Sequence, residues 1–354
     1  MKKSLIGQCG FVASLVAGVA AVSMLVSTAE AKKQQREIRA PSEYLGDAWN
    51  AHIYFPFLSK LASVETLTVK QTSGAEQARC EEFYSEINQK RSIKIIMGVG
   101  YYDDSEGQPF SFKYNDDVTG QLMTQDFGMN ATIDIAYVRM YSKMFTRPCE
   151  GNLAVCGFKQ TSSGVFQKTV KNPAGKKVEV TLEMKNSSVT PETPLNVGAQ
   201  AAAQQAKTDA TTRWFFGSIP SADLVIYNGH SRKGGGPDFG PPKLLSSLHV
   251  NYPYYAKNEP GLTRLLSALQ APRKPKALMM MSCNSTLLFA NRIAKVAPLT
   301  SFAGTDEVIP GDIPTKGALA GIDSLLRFQC ENGFNQALQT TPEIQKHITA
   351  LRFK

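Results

Sequence analysis

The sequence predicts an α/β protein: a mostly parallel sheet with helices on both faces, preceded by a strand-rich N-terminal region. Three observations carry this. Residues 222–228 (ADLVIYN) and 275–281 (PKALMMM) are short, largely apolar runs, as strands buried on both faces are. Residues 261–269 (GLTRLLSAL) between them have helical spacing. A strand–helix–strand crossover is right-handed and sets its two strands parallel. Residues 177–184, by contrast, alternate Val178, Val180, Leu182 and Met184 with Lys177, Glu179, Thr181 and Glu183, the pattern of an antiparallel sheet with one face in water.

At the N-terminus, Met1, Lys2 and Lys3 precede an apolar stretch over residues 11–26 and a small-residue end, Ala29-Glu30-Ala31. This is the three-part layout of a secretory signal peptide, so cleavage is expected after Ala31. The other reading, a membrane anchor, needs about 20 strongly apolar residues. Ser14, Ser23 and several glycines and alanines break this run. Cys9 lies ahead of the apolar stretch, too early for a lipid-modified cysteine. No later segment is long and apolar enough to cross a bilayer, so no stable membrane insertion is expected after cleavage. The expected location is periplasmic or extracellular.

Residues 32–45 are polar and charged and read as a mobile arm. Residues 46–190 form the strand-rich region, and residues 195–354 the α/β domain. A helix is expected over residues 74–90, capped by Ser73, with Ala78, Phe83 and Ile87 at helical spacing. Ser92–Val99 (SIKIIMGV) reads as a strand. Residues 131–144 alternate Ile133, Ile135 and Tyr137 with Thr132, Asp134 and Ala136, which reads as a half-buried strand. Pro173-Ala-Gly-Lys-Lys177 is a turn. Past the polar stretch 186–194 the character changes, starting with an Ala/Gln-rich helix over residues 199–207 and ending with a helix over residues 287–296.

Cleavage would remove Lys2, Lys3 and Glu30, taking the net charge from +9 to +8. The basic residues are scattered and do not interleave with aromatics, so they read as solvated surface and no nucleic-acid partner is expected. Of six cysteines, five would remain. Exported cysteines tend to pair. Cys149 and Cys156 flank a short Gly-containing loop and can close it. Cys80 and Cys330 are assigned to a second bridge by elimination, which leaves Cys283 over. The alternative is that Cys283 is itself the partner of Cys330.

Chemistry concentrates at the ends of the two apolar runs. The first ends in Asn228-Gly229-His230-Ser231, the second in Ser282-Cys283-Asn284-Ser285. Parallel strands end on one edge of the sheet, where open α/β sheets bind ligands. His230 and Cys283 are therefore expected to be neighbours. A thiol needs a base beside it, or a lowered pKa, to attack a carbonyl, and His moves protons near neutral pH. The helix after Cys283 would favour a negative sulfur through its N-terminal N–H groups. The backbone N–H groups of Gly229, Ser231 and Cys283 are candidate donors to an oxyanion. Taken singly, each of the two side chains also has an ordinary reading: a small buried cysteine and a capping or core histidine.

An apolar strand ending in Gly-His, followed by one ending in Ala/Ser-Cys, resembles the caspase–hemoglobinase fold, the group of the caspases, legumains, gingipains, clostripain, separase and the CHAT domains. Tyr227-Asn-Gly-His230 resembles the gingipain and separase version. Ser282-Cys283-Asn284-Ser285 looks like the CHAT version, and residues 302–309 and 315–322 look like that domain's next strand and helix. The resemblance covers about residues 195–335. It implies a cysteine peptidase acting on a protein or peptide substrate, with Cys283 as nucleophile, His230 as general base and acid, and a thioester acyl-enzyme between. The rival implied role is an inactive caspase-like binding protein of the cell envelope. Most of that family has Gly after the His, where this chain has Ser231.

The loop over residues 232–242 is rich in Gly and Pro and reads either as a wall of a substrate pocket or as a flexible connection. Asp238 in it, with Asp306, Glu307 and Asp312 further on, are candidate substrate-binding carboxylates; each also reads as solvated surface. There is no Gly-x-Ser-x-Gly elbow, no His-Glu-x-x-His and no Cys-x-x-Cys. Neither a metal nor a cofactor is expected.

Overall fold

The computed structural model describes residues 54–103, 109–115, 122–129, 132–308 and 312–354. The expected signal peptide and arm lie outside the described residues. The strands are β1 (Ser92–Val99), β2 (Pro109–Asn115), β3 (Leu122–Met129), β4 (Lys159–Ser162), β5 (Val165–Lys171), β6 (Lys177–Asn186), β7 (Leu224–Asn228), β8 (Ala277–Met281) and β9 (Ser301–Ala303). Seven of them make one sheet in the order β4-β5-β6-β1-β7-β8-β9, while β2 and β3 pair separately. The β6–β1, β1–β7, β7–β8 and β8–β9 pairs are parallel, and β4–β5 and β5–β6 are antiparallel.

The helices are α1 (Phe55–Ala62), α2 (Gly74–Lys90), α3 (Asp134–Thr146), α4 (Thr193–Val197), α5 (Ala201–Ser218), α6 (Tyr252–Asn258), α7 (Pro260–Ala268), α8 (Asn291–Val296), α9 (Asp312–Leu326), α10 (Glu331–Leu338) and α11 (Pro342–His347). The central strands have period-two side chains on both faces, and both faces are covered. On one face Ile93, Ile95, Met97, Leu224, Ile226, Met279 and Met281 pack with residues of α1, α2, α3 and α9–α11. On the other, Ile96, Val225, Leu278 and Met280 pack with Phe215 of α5, Leu262 and Leu265 of α7, and Ile293 of α8. The α/β class, the mostly parallel sheet and the two helical layers are therefore as expected.

The expected division of the chain differs from what forms. β1 lies between β6 and β7, paired over Ile95–Val99 with Leu224–Asn228. The sheet runs unbroken through the boundary expected near residues 190–195. The N-terminal strands join the sheet edge-on because β1, apolar on both faces, needs neighbours on both sides.

A second difference is α3, expected as a strand. Its buried side chains Tyr137, Met140, Tyr141, Met144 and Phe145 fall at i, i+3, i+4, i+7 and i+8, one helical stripe. The local alternation at Ile133–Tyr137 was the weaker of two overlapping patterns. Elsewhere α2, β1 and β6 lie where the sequence put them. Ser73 stands at the α2 N-cap, but its carbonyl rather than its hydroxyl accepts the first bond, from Gln77 N–H at 3.4 Å. Arg91, with φ +53°, ends the helix in the left-handed region.

Both expected disulfides are present: Cys80–Cys330 ties α2 to the start of α10, and Cys149–Cys156 closes the loop after α3. Cys330 is thereby excluded as the partner of Cys283. No helix among the described residues is long and apolar enough to cross a membrane.

Candidate functional site at the C-terminal edge of the sheet

β7 and β8 run parallel with Asn228 opposite Met281. The ladder continues one step, since Gly229 N–H donates to Met281 O at 3.3 Å. Counting on, His230 follows Asn228 by two residues and Cys283 follows Met281 by two. The two expected dyad residues thus leave neighbouring strands at the same level, on strands spaced about 4.8 Å apart. Both are covered, His230 at 5 % and Cys283 at 8 % exposure.

The covering groups come from the N-terminal part of the chain. The Tyr102 ring lies 4.7 Å from the His230 ring, tilted by 50°, and Tyr137 of α3 lies 5.2 Å beyond Tyr102. Below His230, Asn228 Nδ2 donates to Tyr141 Oη at 2.8 Å and to Thr315 Oγ1 at 3.3 Å. Burial pushes the Tyr141 hydroxyl above its ordinary range, and its bonds with Thr315 and Asn228 draw it only part of the way back. That hydroxyl stays protonated at neutral pH.

Sequence reasoning missed Tyr102, Tyr141 and the bridging role of Asn228. A signal existed: β1 is an apolar strand followed by Gly100-Tyr101-Tyr102, the same strand-to-turn pattern that singled out the other two.

Cys283 is disulfide-bonded. The turn after it is fixed from the β9 side. Ser285 Oγ donates to Met280 O at 2.5 Å and accepts from Thr305 N–H at 2.8 Å. Thr305 Oγ1 donates to Ser282 O at 2.5 Å. Asn284 takes the left-handed region at φ +53°.

The expected helix N-terminus behind the sulfur differs. A π-helical turn, Thr286–Ala290, precedes α8. The N–H groups of Asn284, Ser285 and Thr286 donate to Glu307 O, Ser282 O and Thr305 O at 2.9, 3.1 and 3.0 Å. They are occupied and do not point a dipole at the sulfur.

Gly229 is also corrected as an oxyanion donor, because its N–H serves the ladder. Its lack of a side chain has a packing reason: a Cβ there would meet Tyr227 Oη at 2.5 Å and Gly100 Cα at 3.1 Å. Ser231 and Cys283 remain the backbone candidates.

The Gly-rich loop is held in place by hydrogen bonds to the strand end beside it. Tyr227 Oη bonds to His230 O at 3.0 Å and receives Asp238 N–H at 2.9 Å. Gly236 N–H donates to Ser231 O at 2.9 Å, and Gly261 N–H to Gly235 O at 2.7 Å. A Cβ on Gly236 would meet His230 O at 2.6 Å. Arg232, whose side chain is 1 % exposed, is held by Asp238 through Nε–Oδ2 at 3.1 Å. Asp238 therefore balances a buried cation.

Asp312 is similarly occupied, 2.7 Å from Lys316 one turn along α9. Asp306 Oδ1 accepts from Thr349 Oγ1 at 2.8 Å. Glu307 is 53 % exposed in its side chain, 3.5 Å from His347 Nδ1, and its carbonyl holds Asn284 beside Cys283. No group of three or more potential metal ligands occurs among the described residues. The chain matches no family model, and neither a curated protein nor a solved structure matches it significantly.

Proposed function

We propose that this chain is an exported cysteine peptidase of caspase-like fold, acting in the form in which Cys283 is a thiol. The observation that carries the reading is the strand register, which sets Asn228 opposite Met281, two residues ahead of His230 on one strand and of Cys283 on the next. In the proposed reaction His230 takes the thiol proton as Sγ attacks a peptide carbonyl carbon. The C–N bond breaks, His230 passes the proton to the leaving amine, and a thioester remains. Water, deprotonated by His230, then hydrolyses the thioester and restores the thiol. The N–H groups of Ser231 and Cys283 are the proposed donors to the oxyanion.

The state of the sulfur bears on the proposal. Cleavage after Ala31 would remove Cys9 and leave five cysteines, of which Cys80–Cys330 and Cys149–Cys156 take four. Those two disulfides fit the oxidising compartment that export implies. A second reading, an inactive caspase-like protein that binds a partner at the same edge, is favoured by the covered site and the bonded sulfur.

Turnover of a mixed peptide library by residues 32–354 separates the two. The peptidase reading predicts cleavage that falls about a thousandfold or more in Cys283→Ala and in His230→Ala. Equal turnover in wild type and Cys283→Ala, or none in either, would overturn it.

A further inference from the structure

Beyond the dyad, the chain after the Gly-rich loop makes a small hairpin whose tip is apolar and exposed. Leu244 and Val250 pair as an antiparallel bridge, and Leu245 N–H donates to His249 O at 2.8 Å. Between them Leu244, Leu245 and Leu248 stand 48, 43 and 64 % exposed. Three leucines within five residues at one tip are not the scattered single hydrophobes of an ordinary surface.

The tip also carries a strained residue. Leu248 has φ +64°, a region that a bulky side chain enters at a cost and that normally goes to Gly or Asn. Such an outlier points to a use for the side chain that is held there.

What surrounds the leucines identifies the partner. Between residues 231 and 258 the only acidic side chain is Asp238, and it is spent on Arg232. The same span carries Lys233, Lys243 and Lys257. Lys243 Nζ lies 3.8 Å from the Tyr254 ring centre, and Lys233 Nζ 4.9 Å from that of Tyr252. Leucines at a tip, with lysines and amphipathic tyrosines behind them, match the layers of a membrane interface: acyl boundary, then anionic headgroups. The chain's overall charge of +9 has the same sign preference.

We propose that the Leu244–Leu248 tip docks on an anionic lipid surface as a peripheral, interfacial contact, with Leu244, Leu245 and Leu248 entering the headgroup boundary and Lys243 and Lys257 facing lipid phosphate. No segment crosses the bilayer in this contact. It is independent of any catalytic role for Cys283.

Sedimentation of residues 32–354 with vesicles tests it, using phosphatidylcholine with about one-third phosphatidylglycerol against pure phosphatidylcholine. The expected result is binding to the anionic vesicles that weakens as salt is raised. It should fall about tenfold or more in Leu244→Ser/Leu245→Ser/Leu248→Ser, and fall also in Lys243→Glu/Lys257→Glu. Leu299→Ser, a residue 75 % exposed just ahead of β9 and so at the other sheet edge, should bind as wild type. Leu248→Gly relieves the backbone and should raise the melting temperature while weakening binding, which keeps the test open if the triple variant misfolds. Three results overturn the proposal: no binding to anionic vesicles, binding that survives Leu248→Gly and the triple variant, or a wild-type dimer that these variants dissolve, which would make a second copy the occupant.

Discussion

Asn228 joins three elements through one amide, from β7 to Tyr141 on α3 and Thr315 on α9. It is fully buried, as are both partners. Buried polar groups that lose a partner keep their desolvation penalty. Asn228→Ala is therefore expected to destabilise the fold by about 1–3 kcal/mol in urea or guanidinium unfolding. An unchanged midpoint would show that water answers Tyr141 and Thr315 instead. The residue scale also shows what a sequence reveals about a site. His230 and Cys283 were legible because each ends an apolar run. The occupation of Asp238 by Arg232 was not, because a sequence gives spacing but not the burial that forces the pair together. Gly229 was misread for a related reason: its N–H is spent on Met281 O, 52 positions further along the chain.

α3 shows the same limit at the scale of an element. Five residues of alternation outweighed a longer helical stripe when read locally; packing of Tyr137, Tyr141 and Phe145 against β1, β6 and the site decides in favour of the helix. The helix begins at Asp134, which is fully buried. It accepts Ser188 N–H at 2.9 Å, Ser188 Oγ–H at 2.5 Å and Asn186 Nδ2 at 3.1 Å. Lys207, from α5, donates to Ser188 O and to Asn186 Oδ1 in the same cluster. Burial raises the Asp134 pKa above its ordinary value, against the pull of the Ser188 and Asn186 bonds and of Lys207. A carboxyl with a raised folded pKa contributes stability below its unfolded pKa and loses it as pH rises through the folded value. Asp134→Asn removes that loss while weakening the bonds to Ser188. The variant is expected to melt below wild type near pH 4, with the gap narrowing towards about pH 7. A gap that widens over that range would contradict the assignment.

At the scale of the whole molecule, one sheet carries residues from both halves of the chain to a common edge. Asn186 is level with Val99, Val99 with Asn228, and Asn228 with Met281. Two positions on, that row becomes Ser188, Tyr101, His230 and Cys283. The parallel α/β half was legible because buried strands and a crossover helix leave continuous apolar runs. The junction with the N-terminal half was not, because nothing local states which strand pairs with β1. The cysteine pairing was legible by arithmetic, and it links the proposed export to the proposed chemistry through the state of Cys283. The rate of iodoacetamide alkylation of Cys283 as a function of pH, in native residues 32–354 and in its His230→Ala variant, tests that link most directly. A dyad predicts alkylation that sets in below the ordinary thiol range near pH 8.5 and moves back up to it in His230→Ala. Profiles that coincide, or a Cys283 that alkylates only after unfolding or reduction, would contradict it.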